Sequence, residues 1–178
     1  PAMETGRKYH GCCGKIICSG CIHAMEKRNK EDKCPFCRTP IATSGEEVVK
    51  RTNTRVEHGD AQAMFNMGRH YALGLYGLPR DNERALELWN RAAEVGIAAA
   101  YHNIADAYRN SNGVERDMKK AIHYYELAAI GGHMGSRHNL GNAGLRTGNM
   151  DRALKHFMIA AGGGMKESLS TIQEMFKR

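Results

Sequence analysis

After Cys37 the chain contains no cysteine; all six lie between Cys12 and Cys37. A disulfide framework staples a whole small secreted domain, so this crowding argues against one. It argues instead for a local metal site. No apolar run approaches ~18 residues and the mean hydropathy is −0.55, which excludes a membrane-spanning helix. The polar start, Pro1 to Gly11, lacks the apolar core of a signal peptide. A cytoplasmic or nuclear protein is therefore expected. No basic run is interleaved with aromatics. The net charge of +7 is spread as +4 over residues 1–58 and +3 over 59–178. Nucleic-acid binding concentrates its basic residues on one face, so neither a nucleic acid nor a membrane is expected as partner. With 42% hydrophobic residues the chain is too apolar to stay disordered.

What is present divides into three stretches. Residues 1–40 are rich in Cys, Gly and Lys. Residues 41–58 form a connector. Ser44 followed by Glu47 has the spacing of a capping box. It predicts a short helix from Glu46 to Glu57 whose Val48, Val49 and Val56 can pack on the third stretch. From Gly59 to Arg178 the composition shifts to Ala, Leu, Met and Tyr at helical spacing.

That third stretch repeats itself. Ala85, Ala121 and Ala153 recur at spacings of 36 and 32 residues. The pairs Ala92-Ala93, Ala128-Ala129 and Ala160-Ala161 are each followed by a glycine, at Gly96, Gly132 and Gly164. Upstream, Ala63-x3-Met67-Gly68-x2-Tyr71 aligns with Ala100-x3-Ile104-Ala105-x2-Tyr108 and with Ser136-x3-Leu140-Gly141. Self-similarity at this period is the signature of an αα solenoid. In each unit the small residue permits close approach of a neighbouring helix, and the closing glycine can take positive φ. Asp81 and Asp117 stand where an acidic cap belongs. Seven helices are predicted, near 61–74, 81–95, 97–110, 117–130, 133–146, 150–161 and 165–177, the last being half a repeat. The fold class expected is mainly α, an αα superhelix of about three repeats behind a small cysteine segment.

The pattern A-x3-L-G-x2-Y followed by A-A-x2-G resembles the Sel-one-like repeat, a relative of the tetratricopeptide repeat. The resemblance implies a right-handed superhelix that binds other proteins. It implies structural roles for Asn66, Asn103 and Asn139. It also places Phe65, Arg69, His102, Asp106, His138 and Asn142 on the inner groove, as candidate partner contacts.

The cysteines read Cys12-Cys13-x4-Cys18-x2-Cys21-x12-Cys34-x2-Cys37. A C-x2-C pair sets two thiolates about one tetrahedral edge apart, which suits zinc, and so short a segment needs a staple to fold. Cys34-Pro35-Phe36-Cys37-Arg38 resembles the last knuckle of the RING-type zinc finger. Cys13-Gly14-Lys15-Ile16-Ile17-Cys18-Ser19-Gly20-Cys21 resembles its middle stretch. The resemblance implies two interleaved zinc sites. Cys18 and Cys21 would belong to the first. Cys34 and Cys37 would belong to the second, with Cys13 and, in place of the usual histidine where Lys15 stands, Cys12. His10 is an understudy ligand, and His23 falls on the helix after the knuckle. The first site lacks an earlier C-x2-C pair, which is expected 10–40 residues upstream in a longer precursor.

A RING finger positions a charged ubiquitin-conjugating enzyme without covalent chemistry of its own. The resemblance assigns Pro35 and Phe36 to the docking surface and Arg38 to the position bridging enzyme and ubiquitin. The function expected is a protein-interaction protein of RING ubiquitin-ligase type, with the repeats recruiting a partner and little ligase activity in this chain. The alternative is a non-catalytic scaffold with a purely structural finger. A cysteine-based redox enzyme is disfavoured.

Overall fold

Two four-residue strands open the described chain. In this computed structural model, which describes residues 7–28 and 33–177, Arg7–His10 (β1) pairs antiparallel with Lys15–Cys18 (β2). The register sets His10 opposite Lys15 and Arg7 opposite Cys18. Most of the polar start lies outside the described residues, as do 29–32 of the spacer between Cys21 and Cys34. The hairpin turn, 11–14, folds back on β1: the amides of Cys13 and Gly14 both donate to the His10 carbonyl, at 3.2 and 2.8 Å. Gly14 takes φ +72°, which favours glycine there. Ser19–Arg28 (α1) follows β2 without a break. The second cysteine knuckle is closed by Cys34 N–H to Thr39 O (2.7 Å) and Arg38 N–H to Cys34 O (2.9 Å).

Gly45–Glu57 (α2) is the expected linking helix, and its cap is a variant of the expected box. Ser44 Oγ accepts from Glu47 N–H at 3.2 Å. Glu47 reaches back one residue further, to Thr43 N–H at 3.3 Å. Val56 is buried and Val48 and Val49 are half-buried. The helix packs against Ala61–Leu73 (α3).

Six further helices among the described residues repeat one design: Asn82–Glu94 (α4), Ala98–Asn110 (α5), Met118–Ile130 (α6), Met134–Arg146 (α7), Met150–Gly162 (α8) and Lys166–Phe176 (α9). All lie within two residues of the expected bounds. The caps are those read from sequence. Asp81 accepts from Arg84 N–H at 3.0 Å, and Asp117 accepts from the amides of Lys119 and Lys120. Gly96, Gly132 and Gly164 take φ of 89°, 83° and 92° after their helices. The chain forms two compact units, Pro1–Leu88 and Trp89–Arg178.

Within the second unit the core is built from small residues facing aromatic ones. Ala105, Ala121, Tyr125, Ala129 and Leu140 form one buried cluster with Tyr108, Ile122 and Tyr124 against it. Phe157 of α8 is fully buried, and its ring lies where a Cβ on Gly141 of α7 would stand, 2.6 Å from Cε1. That is the close helix approach the repeat pattern implies. The fold class is mainly α, with helical repeats of the solenoid type. No helix among the described residues is long and apolar enough to cross a membrane.

Candidate metal centre and partner groove

The structure divides the six cysteines. Cys12 and Cys13 come from the hairpin turn, and Cys34 and Cys37 from the knuckle. Their four Sγ atoms all lie within 4.8 Å of one another. Cys12–Cys37 and Cys13–Cys34 are separated by 3.4 and 3.7 Å. A metal–sulfur bond of about 2.3 Å gives a tetrahedral edge of about 3.8 Å, so four close cysteines with this spacing can hold one metal ion. Cys34 is 1% exposed, which keeps water from one side of the site. Cys18 and Cys21 stand outside this group, at the β2–α1 junction, where Cys21 N–H lies 3.4 Å from Cys18 Sγ.

The thiols influence one another. Burial raises the Cys12 thiol, and its contacts with Cys37 and Cys34 raise it further. Burial also raises Cys13. The Thr39 hydroxyl, 3.2 Å away, lowers Cys37 to about 6. The Cys21 amide lowers Cys18, and Cys18 in turn raises Cys21. A bound divalent cation reverses the raised values, because it holds its sulfur ligands as thiolates.

His10 ends β1 with its ring edge toward Phe36, centroids 6.1 Å apart, and takes no place among the four thiols. His23 lies exposed on α1. Around the knuckle, Phe36 is 49% exposed, Pro35 is half-buried and Arg38 is exposed. Arg38 has φ 61°, a left-handed conformation unusual for a residue with a Cβ.

The candidate groove residues fall in both units. In the first, Phe65 is buried and Arg69 half-buried on α3. In the second, His102, Asp106, His138 and Asn142 are half-buried. His102 Nδ1 lies 2.9 Å from Ser136 Oγ, while its Nε2 lies 3.4 Å from Asp106 Oδ2. Asp106 also accepts from the Tyr125 hydroxyl and pairs with Arg109 at 3.2 Å. His138 repeats the first contact one unit later, Nδ1 to Ser168 Oγ at 2.9 Å. Sequence reasoning aligned Ser136 with Ala63 and Ala100 but gave it no contact, and it missed Ser168; both serines are fully buried at the alanine position of the repeat. That substitution, paired with histidine three positions before the small residue, was the available signal. Asn66 is buried with Gln62 Nε2 at 3.5 Å from its Oδ1; Asn103 and Asn139 are half-buried.

Residues 61–97 and 98–133 match the family model for the Sel1 repeat. Among solved structures, a Sel1 repeat protein from Oxalobacter formigenes matches with 30% identity and a TM-score of 0.69, over 74% of this chain and 55% of that one. A protective antigen of uropathogenic Escherichia coli with an SLR fold matches with 23% identity and a TM-score of 0.73, over 79% of this chain and 30% of that one. Helicobacter pylori cysteine rich protein B matches in fold, with 18% identity and a TM-score of 0.56, over 72% of this chain and 99% of that one. The chain thus spans about half and about a third of the first two proteins. No curated protein matches it. The matched repeats do not include the cysteine finger.

Proposed function

We propose that this chain is a protein-interaction protein whose Sel1 repeats recruit a protein partner and whose cysteine finger, loaded with zinc, docks a ubiquitin-conjugating enzyme. The repeats support the first half, since proteins built from them bind protein partners. The observation that carries the second half is the convergence of Cys12, Cys13, Cys34 and Cys37 to tetrahedral-edge distances. Four thiols with no open position are the ligand set of a structural zinc site. Zinc there would neutralise the thiolates and lock the turn to the knuckle. This would present Pro35, exposed Phe36 and Arg38 together on one rim. The left-handed Arg38 supports the reading, because backbone strain of this kind concentrates at functional positions.

The test joins stoichiometry to activity. Purified chain is expected to bind one zinc at the four-thiol site. A longer chain, extended upstream to supply a further C-x2-C pair, is expected to bind two and to build ubiquitin chains with a panel of conjugating enzymes. Arg38→Gly relieves the backbone while deleting the side chain, so it should keep zinc and lose chain formation. Retained activity in Arg38→Gly removes the bridging role.

A second reading has its own observation. Cys18 and Cys21 find no further thiol partners among the described residues. The hydroxyl of the finger's Tyr9 also donates at 2.9 Å to Oδ2 of Asp60, the N-cap of α3 just beyond the linking helix. Both suit a finger that serves as a structural clip beside an adaptor solenoid. Two bound zincs without any ubiquitin-chain formation would decide for this scaffold.

A further inference from the structure

The residues that supply two of the four thiols also form the seat of the finger on the linking helix. Cys12 and Cys13 occupy a turn bounded by Gly11 and Gly14. A Cβ on Gly11 would stand 3.3 Å from Thr52 Oγ1, and one on Gly14 would stand 2.4 Å from Arg55 Nη2 and 2.6 Å from Asp60 Oδ2. Thr52 and Arg55 belong to α2, and Thr52 is buried there. Asp60 ties three elements at one carboxylate. Its Oδ1 caps α3 at Ala63 N–H (3.1 Å), and its Oδ2 accepts from Arg55 Nη2 (2.9 Å), Arg55 Nε (3.1 Å) and the Tyr9 hydroxyl of β1. On the knuckle side, Arg51 Nη1 donates to Pro40 O at 2.6 Å. Both halves of the thiol site are therefore anchored to α2, one through the turn and one through Pro40.

We propose that metal binding at Cys12, Cys13, Cys34 and Cys37 is thermodynamically coupled to the order of α2 and the start of α3, with Gly14 and the Tyr9–Asp60–Arg55 contact as the joint. The metal fixes the turn against the knuckle, and the fixed turn presents Gly14 and Tyr9 to Arg55 and Asp60 in one geometry. With the metal removed, the turn gains freedom and the seat on α2 loosens. The linking helix then acts as a rigid coupling between the finger and the first repeat helix, where its sequence read as a connector. The coupling rests on the metal reading of the four thiols.

The experiment uses the full chain, stripped with chelator and then titrated with zinc ion. Amide exchange is followed in peptides covering 45–60, and bound zinc is measured by chelator competition. Zinc is expected to slow exchange in α2 at least tenfold while leaving α8 unchanged. Tyr9→Phe, which removes one hydroxyl and no thiol, is expected to shrink that protection severalfold. Coupling is reciprocal, so the same variant must weaken zinc binding by the same factor. Gly14→Ala should lose the α2 response while still binding one zinc; should it fail to fold, Tyr9→Phe decides alone. One zinc bound with α2 exchange unchanged within twofold overturns the coupling and leaves the metal site standing. Unequal factors in Tyr9→Phe overturn it too. No zinc bound overturns the metal reading itself, and the coupling with it.

Discussion

Gly141→Ala should destabilise the second unit although the change is one that normally stabilises a helix. Replacing a mid-helix glycine by alanine gains about 1 kcal/mol of helix propensity. At Gly141 the new methyl would lie 2.6 to 2.8 Å from three carbons of the Phe157 ring. That ring is fully buried, so it can yield only by displacing packed neighbours. Overpacking of this kind costs about 1–3 kcal/mol, so the net should be a loss of up to about 2 kcal/mol, or up to roughly 8 °C in melting temperature for a chain of this length. Gly162→Ala is the control. It also lies in a helix, at the end of α8, but nothing lies within 4 Å of its would-be Cβ, so it should gain up to about 1 kcal/mol. Phe157→Leu should by itself cost about 1–2 kcal/mol through the cavity it leaves. Combined with Gly141→Ala it should recover about 1 kcal/mol, because the methyl fills part of that cavity. Urea denaturation followed by circular dichroism on the four variants measures each quantity. If Gly141→Ala stabilises as much as Gly162→Ala, the close approach of α7 and α8 is not the reason for the glycine.

Three further outcomes are expected. Ser136→Ala should cost about 1–3 kcal/mol, because the methyl fits, as Ala63 and Ala100 fit the equivalent buried positions, while His102 and His133 lose the hydroxyl at 2.9 and 3.1 Å; Ser168→Ala, which strands only His138, should cost less, and equal or zero losses would refute the hydroxyl's role. Burial, then the His133 ring, holds His102 down to about 4 against the pull of Asp106, so folded and unfolded states are both neutral there above pH 6.5, and between 6.5 and 4 the unfolded state takes a proton that the folded state refuses. Stability should thus fall with falling pH across that window, by up to about 1.4 kcal/mol per pH unit from this residue, and His102→Gln should flatten the slope of urea midpoints by that amount; an unchanged slope would remove His102 from the account. Cys34→Ser should abolish the thiolate-to-cobalt absorption band of the cobalt-loaded chain, whereas Cys18→Ser should leave the band of the four-thiol site in place; loss of that band in Cys18→Ser would show that the two groups are one site.

The repeat helices were legible because each carries its own start and stop. Asp81, Asp117 and the closing glycines bound their helices where the sequence placed them, and the alternation of Ala pairs with aromatics set the buried faces. The thiol site was legible for a similar reason: Cys12, Cys13, Cys34 and Cys37 are rare residues whose chemistry admits few roles. The hairpin of β1 and β2 was not, since four-residue strands carry too short a pattern to register alternation. Helical spacing also places a side chain on a face without saying what crosses to meet it. His102 and His138 were set on a groove by their offset from Ala105 and Gly141, yet each turns one ring nitrogen to a buried serine about thirty residues on. The Tyr9–Asp60 contact spans 51 positions and rests on tertiary packing alone.

The adjacency of Cys12 and Cys13 explains why one glycine serves two ends. Neighbouring residues in a strand project to opposite faces, so two consecutive cysteines cannot both face one metal from an extended segment. Here the chain leaves β1 and folds back, with Cys13 and Gly14 both donating to His10 O, and the curvature brings both thiols to the knuckle's Cys37 and Cys34. Gly14 takes positive φ in that fold-back, a conformation that favours glycine, and the missing side chain is what lets the turn touch Arg55 and Asp60. Any residue larger than glycine would strain the turn and lift it from α2 at once. A site of adjacent ligands is therefore tied to its support on the helix in a way that a spaced C-x2-C pair, which curves around its metal unaided, does not require.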